Sequence, residues 1–454
     1  MDIDRILVID TGASDASAIA RRIRSLNALA VIEDAVGLKP EAFSGKVRGV
    51  IVAGSGQALK VDNHLIRNII NASLPVLCFG KNARQLLYAL GGVAGQTQLE
   101  KGVCAVAFLE SPLFESVNSG DRYFERADAF SLPEGVSPIA VSDGGWVCAF
   151  AHEEKKLYGA QFSVESNDPD GMQLLKNFVF GICKVEDEWT TASCHKNALS
   201  DMQLACPSGK VVCAVSGSAL SAIAASLAMQ AYSKRVKCVL CDTGLMRKGE
   251  IGQIRRMFSE EIGVFLQVID ISSEVFSALS GAVDSREKHE RVSREILKCL
   301  SREGDMIVRG AGTGGAFALT PLAGLFREEA KALGEFIGLP QSVLARQSFP
   351  EAGLALRVSG EVTREKIEIL READAVFSEE IENAALDKKL MQYYVTLAPA
   401  QDGNFAAILH ALVPNKELCG YAFRLPYDVI ERTVMRIMAD QIQIIGVMYD
   451  VTGK

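Results

Sequence analysis

The sequence predicts an α/β protein with two parallel-sheet regions followed by a smaller α+β region, and three observations support this. The chain has 454 residues, more than one hydrophobic core usually supports. Short β-branched runs alternate with helical periods in two separate regions, which is the rhythm of parallel sheets covered by helices. A polar stretch, residues 184–210, interrupts this rhythm and predicts a linker.

In residues 1–185, apolar runs beginning near residues 6, 49 and 75 predict strands, with helices between them. The later runs VCAVAFL, PIAVS, WVCAFAH and LYGAQF have no helices between them and therefore indicate antiparallel strands. We expect an α/β core with a mixed-sheet extension.

The second region begins with the strand–loop–helix pattern VVCAVSGSALSAIAASLAMQAY at residue 211. Strand runs at 237, 265 and 305 follow, with amphipathic helices between them, and predict a second parallel sheet. From about Gln347 the pattern changes to strands that flank one or two helices, which indicates a small α+β region.

The composition is that of a folded protein, with 48% hydrophobic and 23% charged residues. The net charge is −8 and no long basic run occurs, so we expect no nucleic-acid partner. The N-terminus is acidic where a signal peptide is basic, and no apolar run reaches the roughly 20 residues that span a bilayer. We expect a cytoplasmic protein with no membrane partner.

Most of the eleven cysteines lie in apolar stretches, as Cys148 and Cys213 do. This is typical of small buried hydrophobic residues in a reducing compartment. Cys238 and Cys241 form a C-x-x-C pair, but no second pair or nearby His completes a zinc site. We therefore predict no metal site.

The order of segments resembles that of the glutamine-hydrolysing GMP synthetases over essentially the whole chain. Matching segments include YGAQF before Ser163, CDTGLMRKGE at Cys241, RVSGEV at Arg357, LPYD at Leu425 and YDVTGK at Tyr449. That family makes GMP from XMP, ATP and glutamine. It joins a class I glutamine amidotransferase domain, an ATP pyrophosphatase domain of the adenine-nucleotide α-hydrolase type, and a dimerisation domain.

The resemblance implies three domains, at 1–185, 186–345 and 346–454, with the last one truncated at its end. It also implies a homodimer.

The resemblance further implies where a glutaminase site would lie. The family's nucleophilic Cys occupies a strand-to-helix turn, a His activates it, and a Glu orients the His. An ungapped alignment of PVLCFGKNARQLLYALGG places Gly80 at the nucleophile, Ser163 at the base and Glu165 at the carboxylate. A hydroxyl at Ser163 cannot take a thiol proton near neutral pH. Cys78, two residues before Gly80, is expected to be a buried strand residue.

Two loops that complete this site in the family also differ. The S-H-G-D turn reads Glu-Arg-Ala-Asp at 125–128, and the S-G-G-P loop of the oxyanion site reads Ala-Gly-Ser-Gly at 53–56. Because four elements of one site are altered together, we predict that glutaminase activity is absent.

The family binds ATP through an S-G-G-x-D-S loop, whose backbone amides at a helix N-terminus hold the pyrophosphate. The matching residues here are Ser216, Gly217, Ser218, Ala219, Leu220 and Ser221. Leu220 replaces the Asp and offers magnesium no ligand. ATP and magnesium are therefore implied as cofactors by the resemblance alone, and residual nucleotide binding stays open.

The neighbouring family segment V-D-N-G-L-L-R is better preserved, and it retains Asp242 and Arg247. A strand that ends in Asp-x-Gly also needs these residues simply to turn, so this segment supports both a binding and a structural interpretation.

The family's Q-G-T-x-Y-P-D-x-I-E-S element falls on residues from Arg309, and it lacks the acidic residues and the loop that follows them. Here Gly310, Gly312 and Gly315 spell G-x-G-x-x-G, but the acidic residue expected at a second strand end is absent. A dinucleotide site is therefore not predicted from this motif.

The C-terminal segments that correspond to the family's substrate-binding motifs also differ from the family pattern. The family's H-P-F-P-G-P-G-L-G reads QSFPEAGLA at 347–355, and His410 stands where an Arg is expected. The chain stops at Lys454, before the family's K-P-P-x-T-I-E-W-E tail. A site without cationic partners binds a phosphate poorly.

Three interpretations remain. The first is a catalytically impaired pseudoenzyme that binds a protein partner or a small molecule. The second is a ligase that uses free ammonia, and the third is a purine-nucleotide sensor that uses the helix N-terminus at Ser216. The changes concentrate where chemistry would occur while the apolar periods of the core are kept, which favours the first.

Overall fold

The computed structural model describes residues 3–12, 15–53, 63–96, 102–124, 127–162, 169–312, 317–346, 351–414 and 420–452. The chain forms two compact units, Met1–Cys194 and His195–Lys454. The boundary predicted at 345 falls within the second unit, and the division into three domains stays a prediction. No helix in the described ranges is both long and apolar enough to cross a membrane.

The first unit is built on a nine-stranded sheet with the order β2-β1-β3-β4-β11-β10-β9-β6-β7, beside a small β5-β8 pair. Its strands are β1 (Arg5–Asp10), β2 (Leu29–Asp34), β3 (Val47–Ala53), β4 (Val76–Phe79), β5 (Val93–Gln96), β6 (Gly102–Phe108), β7 (Gly120–Phe124), β8 (Asp128–Ser131), β9 (Ser137–Ser142), β10 (Val147–His152) and β11 (Leu157–Ala160). Its helices are α1 (Asp15–Ser25), α2 (Asn63–Asn71), α3 (Lys81–Ala89) and α4 (Pro169–Lys176).

The pairing of these strands follows from their sequence pattern. Strands β1 to β4 pair in parallel and are continuous apolar runs, as expected for strands covered on both faces. Strand β11 joins β4 in parallel, and β10, β9, β6 and β7 extend the sheet with antiparallel pairs. The predicted α/β core with a mixed-sheet extension is therefore confirmed.

The stretch predicted as a linker contains the helix α5 (Thr191–Ala205). The hydroxyl of Thr190 accepts a hydrogen bond from the amide of Ser193 at 3.2 Å, which stabilises the start of the helix. Ala198 and Met202 are buried on its inner side. The sequence pattern did not predict this helix, because its residues are mostly polar and few of them contact the core.

The second unit begins with a parallel sheet of order β14-β13-β12-β15-β16. Its strands are β12 (Val211–Ala214), β13 (Val236–Asp242), β14 (Leu266–Asp270), β15 (Met306–Val308) and β16 (Ala318–Leu319). Its helices are α6 (Ala219–Tyr232), α7 (Glu250–Arg256), α8 (Ser272–Leu279), α9 (Ser285–Leu300), α10 (Arg327–Phe336) and α11 (Gln341–Leu344). The strand order reverses between β12 and β15, and in open α/β sheets ligands bind outside the carboxyl ends of the strands at such a switch point.

A second, mostly antiparallel sheet completes this unit, with β18 pairing to β17, β19 and β20. The remaining elements are α12 (Arg364–Asn383), β17 (Gln392–Pro399), β18 (Phe405–Pro414), β19 (Gly420–Ala422), α13 (Tyr427–Asp440) and β20 (Ile444–Tyr449). One buried cluster runs from Val212 and Val239 of the parallel sheet to Leu370 of α12 and Leu409 of β18. The two sheets of this unit therefore share a hydrophobic core.

Candidate functional site

Gly80 lies at the apex of the strand-to-helix turn between β4 and α3. Its backbone angles are φ 56° and ψ −125°, and its N–H donates to the carbonyl of Ala160 at 2.9 Å. Such angles are open mainly to glycine. A strained strand–turn–helix is also the geometry that presents a nucleophile in enzymes with a nucleophile elbow. Here the residue at the apex has no side chain and therefore supplies no nucleophile.

Cys78 lies inside β4, between Val52 of β3 and Gly159 of β11. Its side chain is fully buried, and this burial raises the pKa of its thiol. Because the thiolate is the reactive form, Cys78 is not poised to act as a nucleophile. The prediction of a buried strand residue is confirmed.

Three polar residues near this turn, Gln161, Asp128 and Arg84, contact one another. Gln161 accepts a hydrogen bond from the amide of Asp128 at 2.7 Å and donates to the Asp128 carbonyl at 2.9 Å. One terminal nitrogen of Arg84, on α3, lies 3.4 Å from the Asp128 carboxylate. Ser163 and Glu165, and the loop residues 54–56 and 125–126, lie outside the described residues.

In the second unit, the loop between β12 and α6 is stabilised by its own hydroxyls. The Ser218 hydroxyl caps α6 by accepting from the amide of Ser221 at 3.2 Å, and it lies 3.1 Å from the Ser216 hydroxyl. The Ser221 hydroxyl donates to the Ser218 carbonyl at 2.8 Å. Gly217 has φ +77°, and a Cβ there would lie 2.5 Å from Ile254. The loop is therefore a tight turn that depends on Gly217, and its Ser216 and Ser218 hydroxyls contact each other.

The first turn of α6, which starts at Ala219, is closed on one side. Leu220 is partly buried and packs against the cluster that includes Val211 and Cys213. The loop after β15 lies directly against it, since a Cβ on Gly310 would be 2.4 Å from the carbonyl carbon of Leu220. The loop after β15 and the first turn of α6 are therefore in close contact at the switch point.

Asp242 and Arg247 make structural contacts at the end of β13. The Asp242 carboxylate accepts from the amide of Gly244 at 2.9 Å and so forms the turn. The Arg247 guanidinium lies 3.3 Å from Asp374 of α12, whose carboxylate also binds Arg357 at 3.0 Å. Burial lowers the pKa of Arg357 to about 10, against the opposing effect of Asp374. These contacts join the β13 loop to α12.

Two residues that are expected to depart from the family pattern form an ion pair at the carboxyl end of β15. A terminal nitrogen of Arg309, directly after β15, lies 2.7 Å from one carboxylate oxygen of Glu351. The other oxygen accepts from the Ser293 hydroxyl of α9 at 2.5 Å. This pair was not predicted from the sequence. The sequence feature that could have indicated this pair is the basic residue Arg309 at one motif position together with the acidic residue Glu351 at another.

His410, at a position where the resemblance leads us to expect an Arg, contacts residues of β17 and the residue that follows β20. Its Nε2 lies 3.0 Å from the Thr396 hydroxyl, and its Nδ1 lies 3.1 Å from the carboxylate of Asp450. The ring stacks on Tyr394 with 4.6 Å between centroids. Burial lowers the pKa of His410, although Asp450 opposes this. The imidazole is therefore part of a hydrogen-bonded group that uses both of its ring nitrogens.

The fold and these sites define a multidomain α/β protein, with a strained strand–turn–helix at Gly80 in one unit and a strand–loop–helix at the switch point of a parallel sheet in the other. A scan against protein-family models finds no match. The chain is 32% identical to the glutamine-hydrolysing GMP synthase of Clostridium acetobutylicum, covering 100% of this chain and 98% of that protein. It is 33% identical to the Brucella melitensis biotype 2 protein of the same name, with coverages of 99% and 97%.

The chain therefore belongs to the family of glutamine-hydrolysing GMP synthases, and the resemblance found in the sequence is confirmed. Among solved structures, a glutamine amidotransferase from Thermotoga maritima aligns with a TM-score of 0.32 and 18% identity. The aligned region covers 44% of this chain and 95% of that protein.

Proposed function

We propose that this chain is a GMP synthase homologue that no longer carries out the family reaction and acts in the cytoplasm by binding or as a structural component. The observation that carries this proposal is what the side chains at the altered motif positions contact. Leu220 packs on the core, Arg309 pairs with Glu351, and His410 binds Asp450. Side chains that fill or bridge a former site stabilise the fold without supplying ligands for magnesium or a nucleotide.

The glutaminase half supports the same proposal. The apex of the turn is Gly80, and the nearest cysteine along the chain, Cys78, is buried inside the sheet. A chain that lacks the nucleophile cannot form the thioester on which glutamine hydrolysis depends. We expect no glutamate release from glutamine. Introducing Gly80→Cys and Ser163→His together is expected not to restore the full reaction, because Leu220 stands in place of the aspartate of the family's ATP loop.

The decisive experiment measures AMP and pyrophosphate release from ATP, XMP and ammonium chloride. Ammonia bypasses the glutaminase, so the assay tests the second unit by itself. The C. acetobutylicum GMP synthase serves as the active control under the same conditions. Release at the level of the no-enzyme blank is expected, and release above the blank would establish the ammonia-dependent ligase instead.

A purine-nucleotide sensor is the second candidate, because α6 still begins at the switch point and retains Ser216, Gly217 and Ser221. A helix N-terminus at this place is a general anion-binding feature. Titration with ATP, XMP and GMP would favour the sensor if the melting temperature rose with nucleotide concentration. No rise with any of the three favours a protein partner.

The homodimer implied by the family is part of the proposal. The region of α13 and β20 exposes several apolar side chains, among them Met435, Met448 and Ile442, which is 92% exposed. Exposed apolar patches of this kind mark association surfaces. Light scattering after size-exclusion chromatography should give twice the mass of one chain, and Ile442→Asp should shift the mass toward one chain.

A further inference from the structure

Cys213 and Cys238 lie directly opposite each other in the parallel sheet of the second unit. Their Cα atoms are register partners between β12 and β13, and both side chains belong to the buried cluster on one face of the sheet. Neighbouring strands are about 4.8 Å apart, which lies within the Cα separation of about 4.4–6.8 Å that a disulfide requires. The backbone therefore holds these two cysteines at a separation that allows a bond between them.

The two cysteines of the C-x-x-C motif are not partners of each other. Successive side chains of a strand point to opposite faces of the sheet, so Cys238 and Cys241, three positions apart on β13, lie on opposite faces. Cys241 belongs to the cluster on the other face, where its thiol contacts that of Cys299 on α9. The strand therefore pairs Cys238 with Cys213 and not with Cys241.

The thiols of Cys213 and Cys238 hydrogen-bond to each other, and this contact makes them chemically different. The hydrogen bond lowers the pKa of Cys238, although burial opposes this, and it raises the pKa of Cys213. The thiolate is the reactive form of cysteine, and a neighbouring thiol converts an oxidised cysteine into a disulfide. Cys238 is therefore suited to react first and Cys213 to react second.

We propose that Cys213 and Cys238 form an oxidation site at which a hydroperoxide converts the two thiols into a reversible disulfide. The Cys238 thiolate attacks one peroxide oxygen, so that the O–O bond breaks, a sulfenic acid forms and an alcohol leaves, or water when the oxidant is hydrogen peroxide. The Cys213 sulfur then attacks the sulfenic sulfur, which forms the S–S bond and releases water. The two thiols lose two electrons and two protons, and the hydroperoxide takes up both.

The sheet makes this disulfide easy to reduce. The Cβ atoms of a relaxed disulfide are about 3.8 Å apart, whereas paired strands are held about 4.8 Å apart by their hydrogen bonds. Closing the bond must draw β12 and β13 together, and strained disulfides are reduced more readily than relaxed ones. Disulfides in a reducing compartment are usually transient, so a strained bond of this kind suits a redox-sensitive site better than a structural one.

The oxidant reaches the site by local opening of the second unit, because the side chains of Cys213 and Cys238 are only 0% and 3% exposed. Hydrogen peroxide, the smallest hydroperoxide, is therefore the probe. The test treats the reduced full chain with hydrogen peroxide in the absence of denaturant, then alkylates the remaining thiols in denaturant and maps the peptides by mass spectrometry.

We expect a peptide in which Cys213 is cross-linked to Cys238, with the loss of two hydrogen atoms, and we expect dithiothreitol to remove the cross-link. A chain that is folded by circular dichroism and still has both thiols alkylated overturns the proposal. A bond from either cysteine to a different cysteine also overturns it.

Cys213→Ser tests the order of the two steps. Without the second thiol, Cys238 should accumulate as a sulfenic acid that dimedone labels. A folded C213S chain whose Cys238 takes up no dimedone overturns the proposal. The mapping of the unaltered chain decides the question if C213S does not fold.

Cys206→Ser is the matched control, because Cys206 is buried in the same cluster and its thiol donates to the carbonyl of Ser208 at 3.0 Å. It should leave the yield of the cross-link unchanged, and loss of the cross-link in folded C206S overturns the proposal. The measurement uses no nucleotide and no turnover, so its outcome is separate from that of the proposed function.

Discussion

Substituting Gly310 by Ala tests the close contact between the loop after β15 and the first turn of α6. A Cβ at this position would lie 2.4 Å from the carbonyl carbon of Leu220, 2.5 Å from its oxygen and 2.6 Å from the nitrogen of Ser221. Carbon atoms in ordinary contact are about 3.5–4.0 Å apart. The loop and the helix must therefore separate by about 1 Å, and no side-chain rotation can relieve the clash because all three atoms belong to the backbone.

The expected cost of this overpacking is about 1–3 kcal/mol. For a folded unit of roughly this size, each kcal/mol lowers the melting temperature by about 2–4 °C. We therefore expect the melting transition of G310A to fall by about 2–12 °C. Differential scanning calorimetry measures this, with urea unfolding as an independent check of the free energy.

Gly252→Ala is the matched control in the same unit. Gly252 lies in α7, and a Cβ there would meet no atom within 4 Å. Because Ala is favoured over Gly inside a helix by about 1 kcal/mol, G252A should be as stable as the wild type or slightly more stable. A G310A protein within about 0.5 kcal/mol of wild type would refute the close approach of the β15 loop to α6.

Three further perturbations have defined outcomes. Gly80→Ala should destabilise the first unit by about 1–3 kcal/mol, because Gly80 has a positive φ. Gly181→Ala is the control and should not destabilise it, since a Cβ there would meet no neighbour within 4 Å. Equal losses of stability for the two variants in calorimetry would contradict this prediction. Asp374→Asn should cost about 3–5 kcal/mol in urea unfolding, because the buried Arg357 loses this carboxylate; a loss below about 1 kcal/mol excludes a strong pair.

The third concerns His410, whose folded pKa lies below the value near 6.5 of the unfolded chain. Between these two values the unfolded chain binds more protons, so stability is complete above about pH 6.5 and is lost as the pH falls below it. His410→Gln should reduce the fall in melting temperature between pH 7 and pH 5, and an unchanged slope contradicts this role.

Much of the fold follows from local sequence pattern. The parallel strands are apolar runs such as RILVID in β1, and their spacing with intervening helices predicts the α/β core. The helix α5 was missed because its sequence is polar and its inner side buries few residues, among them Ala198 and Met202. Propensity and periodicity are weak signals where tertiary contact supplies most of the stability.

Part of the candidate site could likewise be predicted from the sequence, and part could not. The register of the β4–α3 turn depends on contiguous residues, so the place of Gly80 and the burial of Cys78 could be inferred from the chain. The partners of the altered residues could not. Arg309 and Glu351 are separated by 42 positions, and His410 and Asp450 by 40, and no local pattern relates such positions.

By itself, the sequence determined the family and the order of most structural elements, and it predicts that the family's nucleophile and aspartate are absent, because these depend on residue identity at fixed spacing. The tertiary structure alone decided that Leu220 packs on the core, that Glu351 neutralises Arg309 and that Asp450 and Thr396 bind His410. The physical reason is that such contacts depend on strand order and helix packing, which bring together side chains that lie far apart along the chain.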